Sequence, residues 1–248
     1  MTRRRFHAPV SAFDHENRRV TLAADEARHL RDVLRLKNGD EVYVFNGVGS
    51  EFRCTVVNTK RDSAELRIES EVKPAKPESP IRLELCVALL KGEKFDLVVQ
   101  KATELGVTGI VPLMTRYADI HLRDDSDAAK RVARWQRIAL EAAKQSGRAF
   151  VPEVSLPASF ESVLAGTRDD ELRLMFSERG GNSIGEVAKE SKAITALVGS
   201  EGGWSDEEIE HARAADFHIV TLGGRILRAE TAAIAITALL QHLFGDLR

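Results

Sequence analysis

The chain has 248 residues, 43% of them apolar and 30% charged, with 36 lysines and arginines against 38 aspartates and glutamates for a net charge of −2. That length suits one large domain or two small ones and can bury a substantial core without disulfide or metal staples. The charge balance excludes a wholly basic nucleic-acid coat while leaving room for a local basic patch, and the longest apolar stretches, near 85–90 and 232–240, are too short to span a bilayer.

The N-terminus, MTRRRFHAPVS, is basic with no apolar core behind it, so it does not read as a signal peptide, and the cytoplasm is the expected compartment. Residues 1–37 carry nine basic against five acidic side chains, enough for a barrel surface that tracks a phosphate backbone or for an ordinary solvated face. A short helical pattern runs from Asp25 to Leu36, with Ala27, Leu30, Val33 and Leu34 on one face. Glu41–Asn46 alternates as a strand, Asn46-Gly47 reads as a hairpin turn, and Phe52–Thr59 and Ala64–Val72 continue the meander. A small β-barrel with one helix is the natural packing of residues 1–72. Lys73-Pro-Ala-Lys-Pro-Glu-Ser-Pro80 holds three of the seven prolines and reads as a linker.

Residues 81–248 alternate strands and helices. Ile81–Leu90 is a strand, Lys94–Leu105 an amphipathic helix closed by Gly106, and Thr108–Met114 the next strand. Asp127–Ser146 is a long helix. On it Lys130, Arg134, Arg137, Glu141 and Lys144, with Arg148 beyond, follow a helical spacing that makes a basic stripe or a solvated face. Leu172–Phe176, Ala193–Gly199 and Phe217–Leu222 are short runs of the buried parallel type. The last helix, about Glu230–Phe244, is apolar nearly all round and belongs in a core or a subunit interface. This order predicts an α/β domain with a parallel sheet.

Three strand ends of the C-terminal third run into glycines: Phe176-Ser-Glu-Arg-Gly-Gly181, Leu197-Val-Gly-Ser-Glu-Gly-Gly-Trp-Ser205 and Thr221-Leu-Gly-Gly-Arg-Ile-Leu-Arg-Ala-Glu-Thr231. After the second, Ser205 and Glu208 form a capping box that opens a helix. In open α/β sheets ligands bind at the carboxyl ends of strands, so neighbouring ends of this kind would form one pocket. No GxGxxG follows the first strand and no GxxxxGK[ST] occurs, which argues against a dinucleotide fold and excludes a P-loop. Cys54 and Cys86 form no CxxC, and histidines 7, 15, 29, 121, 211, 218 and 242 show no HExxH or HxH spacing, so no metal is expected.

These residues make the chain recognisable. His29-Leu-Arg-Asp-Val-Leu-Arg35, Lys91-Gly-Glu-Lys94, Lys101-Ala-Thr-Glu-Leu-Gly-Val107, Glu141–Arg148, Leu197–Trp204 and Leu222–Thr231, in this order, resemble the ribosomal RNA small-subunit methyltransferase E family of the knotted SPOUT superfamily. The chain departs from that pattern at Ser200, where the family usually has proline. The resemblance implies a PUA-like barrel (1–72) that grips RNA, with Arg4, Arg5, His29, Arg31 and Arg35 as RNA-binding residues. It implies a linker (73–80) and a methyltransferase domain (81–248) with a deep trefoil knot, paired as a homodimer. S-adenosylmethionine would be held by the late loops through Phe176, Val198, Gly199, Ser200, Glu201, Gly202, Leu222, Gly223 and Leu227. The implied reaction is methylation of N3 of a uridine in 16S rRNA, free or in the assembled small subunit, with no membrane and no metal involved.

The chemistry narrows the roles. Uridine N3 is a poor nucleophile until it loses its proton, and the resulting charge spreads onto O2 and O4, so a cation beside those oxygens lowers the barrier. Arg228 is the first candidate, because an arginine fork holds two acceptors and is itself no proton acceptor. The base is open between Glu230, Glu201 and water. Gln145 and Arg148 would lie over the partner's cofactor pocket in the implied dimer. Ribose 2′-OH methylation and non-catalytic RNA binding are the rival readings.

Overall fold

The computed structural model describes residues 3–118, 120, 122, 124–167, 170–187 and 191–247. His121, one of the seven histidines, lies outside the described residues. The chain clusters into two compact units, Met1–Glu78 with Ala143–Val151, and Ser79–Ala142 with Pro152–Arg248.

The first unit holds β1 (Arg5–His7), β2 (Phe13–Asp14), β3 (Arg19–Leu22), α1 (Ala24–Arg28), β4 (Glu41–Phe45), β5 (Glu51–Thr59) and β6 (Ala64–Val72). Its sheet runs β1-β4-β5-β6-β3-β2, with only the β1–β4 pair parallel. The end strands β1 and β2 do not pair, so the sheet is a half-barrel and not a closed one. Alternation does the work expected of it: Val42, Val44, Cys54, Val56, Leu66 and Ile68 turn inward onto Phe6, Val20 and Leu22.

Two local expectations fail for identifiable reasons. Asn46-Gly47 is not a two-residue hairpin. Asn46 follows β4, its side-chain Oδ1 accepts from the amides of Val48 and Ser50, and Gly47 and Gly49 take positive φ in a longer loop. The helical face of 25–36 also breaks. After α1 the chain widens into a single π-type turn, His29–Val33, which rotates later side chains off the 3.6-residue register. Ala27 and Leu30 stay buried, while Val33 is 64% and Leu34 37% exposed.

A buried carboxylate organises this unit. Glu51 accepts from Arg3 at 3.1 Å, from Arg5 at 3.2–3.3 Å and from the Ala75 amide at 2.9 Å. Arg5 also donates to the carbonyls of Lys144 and Arg148. The proline-rich segment is thus tied down at Ala75, and again at Glu78, which takes the Arg148 guanidinium at 2.7 Å.

The second unit holds β7 (Arg82–Ala88), α2 (Lys94–Glu104), β8 (Gly109–Met114), α3 (Asp125–Ser146, its last turn grouped with the first unit), β9 (Glu153–Val154), β10 (Ala158–Ser159), α4 (Phe160–Gly166), β11 (Leu172–Phe176), α5 (Ile184–Val187), β12 (Ala193–Val198), α6 (Asp206–Ala214), β13 (His218–Val220) and α7 (Ala229–Phe244). The sheet order is β10-β8-β7-β12-β11-β13, with β9 also on β8, and every pair is parallel. In register, Cys86, Leu197, Met175 and Ile219 form one row, covered by Phe160 of α4 and by Ile209 and Ala212 of α6. The alternate residues Val198, Phe176 and Val220 face the other way. The basic stripe of α3 is not uniform, since Arg134 pairs with Asp96 and Lys144 with Glu26.

Candidate functional site

Strands β12, β11 and β13 are neighbours in space although other elements separate them in sequence. Their carboxyl ends, Val198, Phe176 and Val220, therefore meet, and the three glycine loops converge on one cavity of about 230 Å³. Its wall is completed by residues 199–204, Leu222, Arg225, Ile226 and Leu227, and by Ala229, Ala232 and Ile236 of α7. The last three follow helical spacing, which puts them on one face.

Each loop is built by close contacts. A Cβ on Gly199 would stand 3.1 Å from the Trp204 indole, and one on Gly202 2.7 Å from Tyr117 Cβ. Gly203 has φ +69°, and a Cβ there would come within 2.8 Å of a Glu178 carboxylate oxygen. The Gly203 amide donates to the Ser200 carbonyl at 3.0 Å, closing the turn. The Ser200 hydroxyl donates to the Tyr117 carbonyl at 2.9 Å, an anchor that proline could not make. Trp204 is buried, and its Nε1 donates to the Phe176 carbonyl at 2.8 Å, locking this loop to the end of β11. The capping box is present: Ser205 and Glu208 exchange hydrogen bonds at the start of α6.

The loop after β11 is clamped through its backbone. The Ser177 amide donates to the Val220 carbonyl, the Gly181 amide to Thr221 Oγ1, and Arg213 to the Gly180 carbonyl. Arg179 holds the Trp204 carbonyl and Asp206. The third loop is the open one. Gly223 takes φ +60°, residues 223–228 are exposed, and Ile226 reaches 87% exposure.

Of the residues expected to hold a cofactor, Phe176, Val198, Gly199, Ser200, Glu201, Gly202, Leu222 and Leu227 line the cavity, and Gly223 lies in the same loop without lining it. Glu201 forms an ion pair with Lys94. Arg228 is the N-cap of α7 and exposed; its carbonyl accepts from the Ala232 amide, while its guanidinium has no hydrogen bond or ion pair among the described residues. Glu230 follows in the first helical turn, and its Oε2 is buried without a hydrogen-bond partner. Neither lines the cavity wall. Gln145 is exposed, whereas Arg148 is 5% exposed and paired with Glu78, which leaves it poorly placed to read a base. In the first unit Arg4, His29 and Arg35 are exposed. Arg5 is engaged by Glu51, and Arg31 by Asp32 and the carbonyls of Lys60 and Arg61.

Sequence reasoning did not single out Glu178, Trp204, Val220, Ile226, Ala229, Ala232 and Ile236 as site residues. The 229, 232, 236 spacing beside a glycine loop is a usable signal for part of that set. Among the described residues no group of three or more His, Cys, Asp or Glu side chains is arranged to hold a metal, and no helix is long and apolar enough to cross a membrane.

The chain matches the RNA methyltransferase domain family over residues 77–241 and the RNA methyltransferase PUA domain family over residues 22–69. A Buchnera aphidicola protein named ribosomal RNA small subunit methyltransferase E is 31% identical over 93% of both chains. Its namesake from Synechocystis is 34% identical over 90% of this chain and 73% of the relative. The crystal structure of a ribosomal RNA small subunit methyltransferase E from Neisseria gonorrhoeae, bound to S-adenosyl methionine, superimposes with a TM-score of 0.88 at 34% identity, covering all of both chains.

Proposed function

Because this chain belongs to the ribosomal RNA small subunit methyltransferase E family, we propose that it methylates N3 of a uridine in 16S rRNA. It is an RNA methyltransferase, and its cofactor is S-adenosylmethionine. The observation that carries the reading is the cavity where three glycine loops meet. Val198, Val220, Leu222, Leu227 and Ile236 offer apolar faces to a flat base, and Glu178, Arg225 and the backbone of residues 199–203 offer polar groups to a sugar and a charged tail. That mixture fits S-adenosylmethionine, which when bound supplies a methyl group already activated on a sulfonium.

What the chain must add is alignment and a proton acceptor. Arg228 stands at the positive end of a 16-residue helix, where guanidinium and helix dipole together favour the uridine anion. Glu230 is the base to test first. One of its oxygens is buried and unpartnered, whereas Glu201 is held by Lys94. In this scheme the N3 proton passes to Glu230, the N3 lone pair forms the new bond to carbon, and the carbon–sulfur bond breaks. The same reading takes the chain through the late loops to be threaded as a trefoil knot. It takes two copies to pair, with exposed Gln145 free to reach the partner and Arg148 holding the segment to Glu78.

The PUA-type unit is assigned to RNA, free or in the small subunit. Arg4, His29 and Arg35 are free to meet phosphates, while Arg5 and Arg31 hold the surface in shape. Arg31 does so by fixing the β5–β6 turn, which carries the exposed Lys60 and Arg61. The test uses 16S rRNA and small subunits that lack the modification, treated with the protein and S-adenosylmethionine, then digested for mass spectrometry. N3-methyluridine is the expected product. A ribose 2′-O-methyl product overturns the target atom, and no cofactor binding at millimolar concentration overturns the enzyme reading in favour of an RNA-binding protein.

A further inference from the structure

We propose that Glu178 accepts hydrogen bonds from the ribose hydroxyls of the adenosyl cofactor, a role that rests on the methyltransferase reading above. Glu178 lies two residues beyond the end of β11 and lines the cavity. Its carboxylate lies over the glycine loop: a Cβ on Gly203 would meet its two oxygens at 2.8 and 3.2 Å. Glycine at 203, with φ +69°, leaves that space to the carboxylate.

The rest of its loop is committed. Ser177, Gly180 and Gly181 are bound through backbone groups and Arg179 by Trp204 and Asp206. Glu178 alone among the charged groups of this loop has neither hydrogen bond nor ion pair among the described residues. Among the described residues, three charged side chains line the cavity: Glu178, Glu201 and Arg225. Lys94 neutralises Glu201. Glu178 is therefore the uncommitted acceptor, carried on a loop that needs no rearrangement to present it.

A carboxylate accepts and does not donate, and its two oxygens match the two donors of a vicinal diol. The cofactor's aminium is the competing donor. It sits beside the tail carboxylate, which Glu178 would repel at nearly the same distance, cancelling much of the gain. The diol has no such neighbour, and Arg225 is the group suited to the tail.

The experiment is calorimetric titration of wild type, Glu178→Gln and Glu178→Ala with S-adenosylmethionine, 5′-methylthioadenosine and 2′-deoxy-5′-methylthioadenosine. Methylthioadenosine keeps the diol and lacks both the amino-acid tail and the charge. Both variants should bind S-adenosylmethionine and methylthioadenosine roughly tenfold or more weakly. Loss of the 2′-hydroxyl should weaken binding to wild type and change little for Glu178→Ala. The exposed position predicts unchanged melting without ligand, so a folding defect would be visible. A variant weakened toward S-adenosylmethionine but not toward methylthioadenosine would move Glu178 to the tail and overturn the proposal, as would unchanged affinity throughout. Failure of wild type itself to bind S-adenosylmethionine overturns the methyltransferase reading, and this proposal with it.

Discussion

Arg228 and Glu230 frame the start of α7 with opposite charges and different surroundings, one exposed cation and one partly buried acid. If Arg228 stabilises the uridine anion, Arg228→Lys keeps the charge but loses the planar fork, and single-turnover methylation should fall by roughly 10²–10³. Arg228→Ala should fall further with cofactor affinity intact, and raising the pH should partly rescue it, because more uridine is already ionised. A defect independent of pH would assign Arg228 to the cofactor. Cys54 gives a second pH test. Burial pushes its thiol from 9.0 up to about 12, with Glu69 adding to the shift. The unfolded chain then loses this proton first, so the stability linked to the thiol is complete below pH 9.0 and declines as pH rises toward about 12. Denaturant unfolding should show wild type losing up to about 1.4 kcal/mol per pH unit over that window relative to Cys54→Ala. Gly202 shows how a loop can be legible in sequence while the contact that requires its glycine is not. The glycine loop was legible, but the Cβ it forgoes would strike Tyr117 from a distant stretch of the same unit.

The late elements were legible as elements because each carries its own punctuation. β12 is an apolar run interrupted only by Thr195, with Gly199 directly after it, and Ser205 with Glu208 marks the start of α6. α7 was legible as apolar, but only one of its faces is buried, with Leu243 left exposed, and the polar residues on that face explain themselves: Thr237 back-bonds to the Ala233 carbonyl, and Gln241 holds Ser79 and the Gly106 carbonyl. The face of α7 that closes the cavity gives a cleaner test of the site than the loop glycines do. Ala232→Trp should fill the cavity and weaken S-adenosylmethionine at least tenfold (about 1.4 kcal/mol), with RNA affinity unchanged. Calorimetry beside RNA binding checks both, and equal cofactor affinity would remove this helix from the site. The helical pattern of 25–36 was legible only in its first half, because a π-type turn leaves no mark in hydrophobic spacing until Val33 and Leu34 are seen exposed.

At the scale of the whole chain the prediction is a division of labour between the two units. Arg4→Ala with Arg35→Ala should weaken RNA binding and make its salt dependence shallower, by about one logarithmic slope unit for each phosphate no longer neutralised, without moving cofactor affinity. Filter binding across a salt series, with calorimetry in parallel, tells the two effects apart. Loss of cofactor affinity alone would refute the division. Local signals in the sequence determined the order of strands and helices, a mostly β unit before an α/β unit, and the three glycine loops, because alternation, helical spacing and turn residues act over a few neighbours. The order of strands in the parallel sheet had no such signal. Only the tertiary structure placed β12 between β7 and β11, brought Val198, Phe176 and Val220 to one edge, and so made a single cavity of three separate loops. It also decided which arginines are free. Arg5 and Arg31 look like Arg4 and Arg35 in sequence, but the fold brings the carbonyls of Lys60 and Arg61 to Arg31, and to Arg5 it brings Glu51, far along the chain and fully buried.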